Sequence, residues 1–476
     1  FTFNASSIKT GTKLIAFETL STNGIEIADH KDINDIDQTV TVKAPVIGTT
    51  AVDAADGDKT VTGEENVAVR DTVHYNNVTP GKTYKVIGTL YEKVLDKNGK
   101  VTKKVFKDKD GTPVTAEANF TAEDSYGNVD VTFYFDGSSL KEGTSLVAFE
   151  SLSYNDNEIA SHADVNDSGQ TVIITKPKLS TTATDALDGD KNLIGEDNAT
   201  IVDTVHYMNV TPGKTYKVSG TLYEKVTDKN GKVTKKQLLD ADGNPVTAET
   251  EFVPEDTYGT VDVTFAFDAS DLKAKDKVVA FESLSLNGKE LASHADIEDK
   301  SQTVTITKPT LSTTAVDGLD ADKNLIGEGD VTIVDTVKYK NVTPGKTYKV
   351  SGTLYEKVTD KNGKVTKKQL LDADGNPVTA ETEFVPEDTY GTVDVTFAFD
   401  ASDLKAKDKV VAFESLSLNG KELASHADIE DKSQTVTITK PEVGTTAKDG
   451  FDGNQTVVSD TEVSVVDTVK YKNVTP

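Results

Sequence analysis

The sequence of 476 residues contains no cysteine, and its basic residues are far fewer than its acidic ones. Without cysteine no disulfide can form, although small exported β-rich domains often depend on disulfides. An extracellular chain of this kind therefore needs another form of stabilisation. Lys and Arg total 51 against 79 Asp and Glu, which gives a net charge of −28. A field of that sign repels phosphate groups, so nucleic acid and anionic membrane surfaces are poor candidate partners.

Long apolar runs are also missing. No segment reaches the roughly 20 apolar residues of a membrane-spanning helix, and the residues from Phe1 onward do not resemble a signal peptide. Because the sequence starts and stops inside a repeating pattern, we expect it to be a fragment, and missing signals say nothing about location. Hydrophobic residues make up 36% of the chain and aromatic residues 7%, which favours several small cores over one large core.

The sequence repeats itself every 132 residues. The string VAFES begins at Val147, Val279 and Val411, and the variant IAFET begins at Ile15. The strings QTV and DTV recur at the same interval. A period this long indicates that each copy is a whole domain rather than a single helix or strand pair. We predict three complete domains at 46–177, 178–309 and 310–441, the C-terminal part of a truncated repeat at 1–45, and the N-terminal part of another at 442–476.

Each domain is predicted to be all-β. Ala199–Val210 alternates apolar and polar residues and is rich in β-branched side chains, as half-buried strands are. Thr211–Lys214 (TPGK) is typical of a turn, and Asn287-Gly288 of a tight hairpin. Many short strands between such turns predict an immunoglobulin-like β-sandwich. The junctions are short and contain proline, as at Lys176-Pro177, so we expect the tandem domains to form an elongated rod.

Five polar residues recur at matching positions in every complete repeat. In the second repeat they are Thr181, Asp203, Glu282, His294 and Gln302. Glu282 follows the apolar run Val278–Phe281, and Asp203 follows Ile201-Val202. A carboxylate in an apolar run is costly unless it is paired or protonated. These residues therefore do not fit the pattern of a solvated surface.

The six histidines divide into two groups. Four of them hold the same position in successive copies, namely His30, His162, His294 and His426. The other two, His74 and His206, are replaced by Lys338 and Lys470 in later copies, so we interpret them as ordinary surface residues. One recurring histidine is more often structural than chemical. Its recurrence together with four other polar residues favours a chemical role.

Taken in order, these motifs resemble the VaFE-type Thr–Gln ester-bond domains of Gram-positive surface adhesins. The resemblance rests on TTA near the start of each repeat, then DTV, VAFE and H-x-D-x-x-D-x-x-Q-T-V. It implies that a threonine of the first strand attacks the side-chain amide of a glutamine on the last strand. Ammonia leaves and an intramolecular ester remains. The implied cross-links are Thr49–Gln170, Thr181–Gln302 and Thr313–Gln434.

The resemblance also implies three assisting residues in each repeat. They are Asp71, Glu150 and His162 in the first, Asp203, Glu282 and His294 in the second, and Asp335, Glu414 and His426 in the third. A threonine hydroxyl needs a base, for which histidine has a suitable pKa. Two neighbouring buried carboxyls cannot both ionise, so one stays protonated and can stabilise the electrophile. The sequence leaves open which carboxyl holds the proton. It also leaves open which threonine of each TT pair reacts, although the family pattern favours the first.

We therefore expect a structural stalk of a bacterial cell-surface adhesin, and not an enzyme, because each site would react only once. No cofactor or metal is expected. The expected partners are the neighbouring repeats, with any host ligand bound outside this fragment and cell-wall anchoring through a region absent here. An ester that closes a loop of about 120 residues would stabilise a repeat by about 4–5 kcal/mol in the chain-entropy model.

Two alternatives stay open. A pilin-like domain with a Lys–Asn isopeptide bond would also lose ammonia. A metal-stabilised binding module could use His294, Asp296 and Asp299, but no second histidine or cysteine lies near them in the sequence. A separate loop, Asp188–Asn192, resembles the start of an EF-hand, but Leu193 stands where an EF-hand requires glycine. The truncated repeats each carry only part of the motif set, so we expect no cross-link in either.

Overall fold

The computed structural model describes residues 1–459 and 462–475, and these residues form strands, turns and loops. Within those ranges there is no α-helix, and so none long and apolar enough to cross a membrane. Each complete repeat contains ten strands in the same order along the chain. The all-β class predicted from the sequence is confirmed.

The strands before and within the first complete repeat are as follows. Residues 1–42 contain β1 (Lys13–Ile15), β2 (Glu18–Thr22), β3 (Ile25–His30) and β4 (Thr39–Thr41). The first complete repeat contains β5 (Val46–Asp53), β6 (Thr60–Thr62), β7 (Val67–Asn76), β8 (Thr83–Leu95), β9 (Val101–Val105), β10 (Thr115–Thr121), β11 (Tyr126–Phe135), β12 (Ser145–Tyr154), β13 (Asn157–His162) and β14 (Thr171–Thr175).

The remaining strands follow the same plan. The second complete repeat contains β15 (Lys178–Asp185), β16 (Asn192–Ile194), β17 (Ala199–Met208), β18 (Tyr216–Thr227), β19 (Val233–Gln237), β20 (Thr247–Phe252), β21 (Tyr258–Phe267), β22 (Lys277–Leu286), β23 (Lys289–His294) and β24 (Thr303–Thr307). The third contains β25 (Thr310–Asp317), β26 (Asn324–Ile326), β27 (Asp330–Lys340), β28 (Tyr348–Thr359), β29 (Val365–Gln369), β30 (Thr379–Phe384), β31 (Tyr390–Asp400), β32 (Lys409–Leu418), β33 (Lys421–His426) and β34 (Thr435–Thr439). The last segment contains β35 (Glu442–Asp449) and β36 (Val465–Lys472).

Each complete repeat has two sheets of unequal size. In the second repeat the smaller sheet has the order β15-β17-β21. The larger has the order β16-β24-β22-β18-β19, and β20 and β23 pair with β18 and β22. Strands β16 and β24 run parallel, whereas the other pairs are antiparallel. The first strand of a repeat therefore lies in one sheet and its last strand in the other.

The period-two pattern of the sequence sets which side chains enter the core. In β17 the side chains of Ile201, Val205 and Tyr207 are buried, and Asp203 lies in the same inward-facing row. The hairpin between β22 and β23 turns at Asn287 and Gly288, whose φ angles of 51° and 77° suit a tight two-residue turn. The strand and turn pattern predicted for this part of the chain is confirmed.

The VAFE strand is buried on both faces. In β22 the side chains of Ala280 and Glu282 face the core. Phe281 lies on the opposite face, where its ring centroid is 4.7 Å from that of Tyr223 and 4.6 Å from the Lys235 ammonium. This explains why apolar residues occupy both faces of a strand in the middle of the larger sheet.

Every complete repeat has its own hydrophobic core. In the second repeat Tyr216, Leu222 and Phe265 have no exposed surface. Equivalent clusters fill the first and third repeats. In contrast, strands β2, β3 and β36 of the end segments are exposed along their whole length. Each complete repeat thus has the internal packing of an independent domain.

Candidate cross-linking site

The first threonine of each TT pair faces the interior. Thr181 lies on β15 and is 2% exposed, whereas the adjacent Thr182 is only partly buried. Neighbouring side chains of a strand point to opposite faces, so only one of the two can enter the core. Thr49 and Thr313 are buried in the same way. The structure therefore places the first threonine of each pair in the site.

The glutamine amide is held on both sides. Gln302 precedes β24, is fully buried, and donates from Nε2 to the backbone oxygens of Ala280 and His294, each at 2.8 Å. Its Oε1 accepts the backbone N–H of Asp296 at 3.3 Å. Because two backbone carbonyls need a donor, the amide nitrogen must point towards them. The preceding residue, Ser301, accepts the backbone N–H of Ala183 at 2.9 Å, so the glutamine lies beside the first strand.

A histidine connects the threonine to a second carboxylate. The hydroxyl of Thr181 lies 3.3 Å from His294 Nδ1, and Nε2 of the same ring lies 3.0 Å from Asp299 Oδ2. In the first repeat the backbone N–H of Thr49 also donates to His162 Nδ1, at 3.1 Å. Nδ1 therefore carries the lone pair and Nε2 the proton. The aspartate orients the ring so that the histidine can act as a general base, as in a catalytic triad.

The Asp and Glu of each repeat form a buried pair. Asp203 is fully buried and Glu282 is 2% exposed. Both oxygens of Asp203, together with Glu282 Oε1, have no N–H or O–H donor among the described residues. Burial, and after it the adjacent Asp203, raise the pKa of Glu282 to about 10. Burial also raises the pKa of Asp203, but a hydrogen bond from Glu282 opposes that rise. The proton thus resides on the glutamic acid, where it can bridge Glu282 Oε1 and one oxygen of Asp203.

An apolar wall keeps water from this pair. Glu150 pairs in register with Gly88, and a Cβ at that glycine would lie 2.5 Å from Cζ of Phe133. The glycine therefore makes room for the phenyl ring, which has no exposed surface. The other repeats share this arrangement, with Gly220 beside Phe265. The ring supplies the dry environment that raises the carboxyl pKa.

Two further residue types at the site were not assigned from the sequence. The aspartates that bind the histidine ring are Asp167, Asp299 and Asp431. A lysine of each repeat joins the first strand to the residue before the glutamine. Lys191 donates to the carbonyl oxygens of Ala183 and Ser301, the second at 2.6 Å. Both residue types recur every 132 residues, so recurrence was the signal that could have identified them.

The same constellation is present in all three complete repeats. Thr49, Thr181 and Thr313 lie 3.3–3.4 Å from the histidine of their own repeat. Gln170 and Gln434 donate to the glutamate and to the histidine carbonyl of their own repeats, as Gln302 does. The predicted site residues are therefore brought together in each repeat.

Half of the site also forms in residues 1–42. Gln38 donates to Glu18 Oε2 and to the His30 carbonyl, each at 3.1 Å, and His30 Nε2 lies 2.9 Å from Asp35. The hairpin of β2 and β3, together with the loop that follows it, is sufficient to build this half. The threonine and aspartate half reaches the site from strands far away in the sequence.

Comparison with known proteins gives one family. The model of the T-Q ester bond containing domain matches residues 1–42, 45–174, 177–306, 309–438 and 441–476. No curated protein matches the chain.

Among solved structures, a bacterial adhesin from Mobiluncus mulieris, described as containing intramolecular disulfide, isopeptide and ester bond cross-links, is 20% identical. That match covers 62% of this chain and 97% of the adhesin chain, with a TM-score of 0.21. The three N-terminal domains of the bacteriophage RB49 Hoc protein are 10% identical, covering 83% of this chain and 99% of theirs, with a TM-score of 0.27. Neither likeness bears on function at these scores. The family match spans nearly the whole sequence, and the chain belongs to the T-Q ester bond domain family.

Proposed function

We propose that each complete repeat closes one Thr–Gln ester and that the tandem array is a stalk of a bacterial surface adhesin. One observation carries the first part. In three separate repeats a buried threonine hydroxyl lies between a histidine lone pair and a protonated carboxyl pair, in the same pocket as an immobilised glutamine amide. A merely structural threonine requires none of these groups.

The reaction begins with the histidine. Nδ1 of His294 accepts the proton of Thr181 as the hydroxyl oxygen attacks the amide carbon of Gln302. Asp299 stabilises the imidazolium that forms, because its carboxylate already binds Nε2. The fixed geometry replaces a bimolecular encounter by a step within one folded domain, and this preorganisation lowers the barrier.

The oxyanion and the leaving group face different partners. Negative charge develops on Gln302 Oε1, which the Asp296 N–H contacts. The sequence led us to expect that the carboxyl pair stabilises the electrophile at the amide oxygen. Instead Glu282 Oε2 lies 3.3 Å from the amide nitrogen, on the leaving-group side. The pair orients the departing nitrogen, and its single shared proton limits the negative charge beside the oxyanion.

The products balance with no external reagent. The bond from Thr181 Oγ1 to Gln302 Cδ forms, and the bond from Cδ to Nε2 breaks. The imidazolium of His294 returns the threonine proton to the departing nitrogen, which leaves as ammonia. Each site is then spent, so the domain acts once on itself and has no turnover.

The position of the proposed ester supports the role of a load-bearing stalk. Thr181 is on the first strand and Gln302 precedes the last, so the ester joins the two sheets and the two ends of a repeat. Tension that enters at one end passes through the ester to the other end. We place this stalk on the outside of the cell, anchored to the wall through a region outside this chain. Any ligand would be bound by another region of the parent protein.

Peptide mapping distinguishes this proposal from a Lys–Asn isopeptide. A digest of the chain should contain one linked peptide that includes both Thr181 and Gln302, and alkaline hydroxylamine should cleave it. Thr181→Ala should abolish that peptide, while Thr182→Ala, which changes the partly buried neighbour on the opposite face of the strand, should retain it. A linked peptide that resists hydroxylamine, or no linked peptide, would reject the ester.

A further inference from the structure

Two buried glutamates lie outside the cross-linking site and have no part in its chemistry. Glu64 of the first repeat is 1% exposed and Glu196 of the second is 2% exposed. Both follow the short strand that pairs in parallel with the last strand of the repeat. A buried carboxylate needs several donors, and here the donors come from the next repeat.

The donors all belong to one turn. Glu196 accepts the Tyr348 hydroxyl at 2.7 Å, the Thr343 hydroxyl at 2.9 Å and the Lys346 ammonium at 3.3 Å. These residues lie in the string NVTPGKTY that starts at Asn341. We call this string the docking turn, and we call the glutamate that it covers the socket.

The junction between the first and second repeats has the same contacts. The docking turn there starts at Asn209, and its Lys214 and Tyr216 reach Glu64 at 2.5 and 2.9 Å. Thr211 donates to the same carboxylate. Two junctions therefore use one set of residue types at one spacing.

A comparison within the chain shows that the next repeat buries the socket. Glu328 holds the socket position in the third repeat, but it is exposed, and Thr475 alone contacts it among the described residues, at 3.4 Å. Tyr84 holds the docking-turn position in the first repeat. Its hydroxyl contacts Thr79, as the hydroxyls of the two docked tyrosines contact the equivalent threonines, but among the described residues no glutamate accepts it. Burial of the glutamate thus depends on a complete docking turn.

A second contact fixes the linker. The ammonium of Lys176 donates to the carbonyl oxygens of Gly63 at 2.6 Å and Ser138 at 3.0 Å, within its own repeat. The carbonyl of the same lysine accepts Asn209 Nδ2 of the next repeat at 2.9 Å. Asn209 has a φ of 57°, a backbone conformation that asparagine tolerates better than most residues. One linker residue is therefore bound by both of the repeats it connects.

We infer that the socket and the docking turn form a head-to-tail interface that accepts another copy of this repeat and fixes its orientation. The hydrogen bonds that Glu196 accepts from Tyr348, Thr343 and Lys346 form only when the turn covers the glutamate, and bonds to a charged group are the stronger ones, so one relative orientation is favoured. Neighbouring domains move relative to each other by default, and this interface opposes that motion. The inference concerns the junctions and does not depend on whether the ester forms.

Because the chain contains no cysteine, two introduced cysteines can be spin-labelled selectively, and pulsed electron–electron double resonance then measures the distance between them. Thr264 and Thr396 are exposed, equivalent positions on β21 and β31. Spin labels on Thr264→Cys and Thr396→Cys in the full chain report the distance between the second and third repeats. The expected distribution is narrow and single. Glu196→Ala should broaden it at least about twofold, because free domain motion then returns.

Two further variants make the result decisive. Glu64→Ala removes the equivalent glutamate at the other junction and should leave the distribution between the two labels unchanged. Tyr348→Phe keeps the ring but deletes the hydroxyl, and it should broaden the distribution in the same direction as Glu196→Ala. Far-UV circular dichroism checks that each variant is folded. A broad distribution in the parent overturns the inference, as do equal widths in parent, Glu196→Ala and Tyr348→Phe, or broadening by Glu64→Ala.

Discussion

His294 uses its two ring nitrogens for different tasks, since Nε2 binds Asp299 and Nδ1 faces Thr181. His294 ends β23, and the loop that follows it carries both Asp299 and Gln302. Only the threonine and the aspartate of the carboxyl pair come from the other sheet. This division lets the reactive groups meet only when the two sheets have packed.

The first prediction concerns this base. We expect His294→Ala to slow ester formation in the second repeat by about 10²- to 10⁴-fold, the usual contribution of general base catalysis. Peptide mapping of the linked and unlinked Gln302 peptides over time measures the rate. The first and third repeats of the same molecule serve as internal controls. His206→Ala alters an exposed histidine and should leave all three rates unchanged. Closure of the second repeat at the normal rate in His294→Ala would remove histidine from the mechanism.

The second prediction concerns the pH dependence of the unlinked fold, prepared with alanine at the three reactive threonines. The pKa of Glu282 is raised from 4.5 to about 10 by folding, so the folded state binds its proton more tightly than the unfolded state. The resulting stability is complete below the unfolded pKa and is lost as pH rises towards the folded one. We expect the free energy of unfolding to fall from roughly pH 5 to pH 8, by up to about 1 kcal/mol per pH unit and repeat.

Urea unfolding at a series of pH values measures this slope. Glutamine in place of Glu150, Glu282 and Glu414 in the same background is the control, because a neutral amide does not titrate and the slope should flatten. Stability that rises with pH over this range would contradict the assignment of the proton to the glutamic acid.

At the scale of single residues, the sequence identified the candidate site because five polar residues recurred in apolar surroundings. It could not show that Glu282 keeps the proton, since that depends on the apolar ring of Phe265, which packs from the opposite sheet. Nor could it show that the amide nitrogen faces Glu282, because two backbone carbonyls distant in sequence decide that orientation. Asp299 was considered only as a possible metal ligand, although its position in the repeated string was visible.

Among the elements, the hairpin of β22 and β23 builds the glutamine half of the site, and the first strand completes it. The equivalent hairpin in residues 1–42 keeps the same contacts without a threonine strand. Alternation in the sequence was enough to place the long strands. The parallel pairing of β16 with β24 was not predictable, because partners far apart in sequence and tertiary packing determine it.

The third prediction concerns the contact that holds these elements together. Lys191 joins β15 to the residue before Gln302 through two carbonyl oxygens. We expect Lys191→Met to slow ester formation in the second repeat and, in the unlinked background, to lower the free energy of unfolding by about 1–3 kcal/mol, because a charged hydrogen bond is lost. Lys300→Met changes an exposed lysine nearby and should do neither. Equal rates and stabilities for the two variants would exclude a positioning role for Lys191.

In the whole molecule, polar contacts join neighbouring repeats, and the proposed esters would add a covalent bond within each complete repeat. The short proline-containing junctions predicted a rod from the sequence. The contacts of Glu64 and Glu196 with the next repeat were not predictable, since a glutamate after a short strand is usually a solvated residue. The docking turn was identified from the sequence as a turn, but its role between domains required the structure.

The fourth prediction concerns the response to force. In single-molecule pulling, an ester from Thr181 to Gln302 keeps the intervening residues out of the extended chain. We expect no unfolding steps of repeat length in the parent. Alanine at Thr49, Thr181 and Thr313 should introduce three steps of about 400 Å each, given roughly 3.3–3.6 Å per extended residue. Steps of that length in the parent would show that the bond does not bear the load.

The most direct measurement is the intact mass of the purified chain of 476 residues. We expect the mass to be lower than that of the sequence by three ammonia molecules, one for each complete repeat. Relative to the mass calculated for each variant, Thr181→Ala should reduce the deficit to two ammonia molecules, and Thr182→Ala should leave it at three. A parent mass equal to that of the sequence would contradict the central claim that every complete repeat closes its own ester.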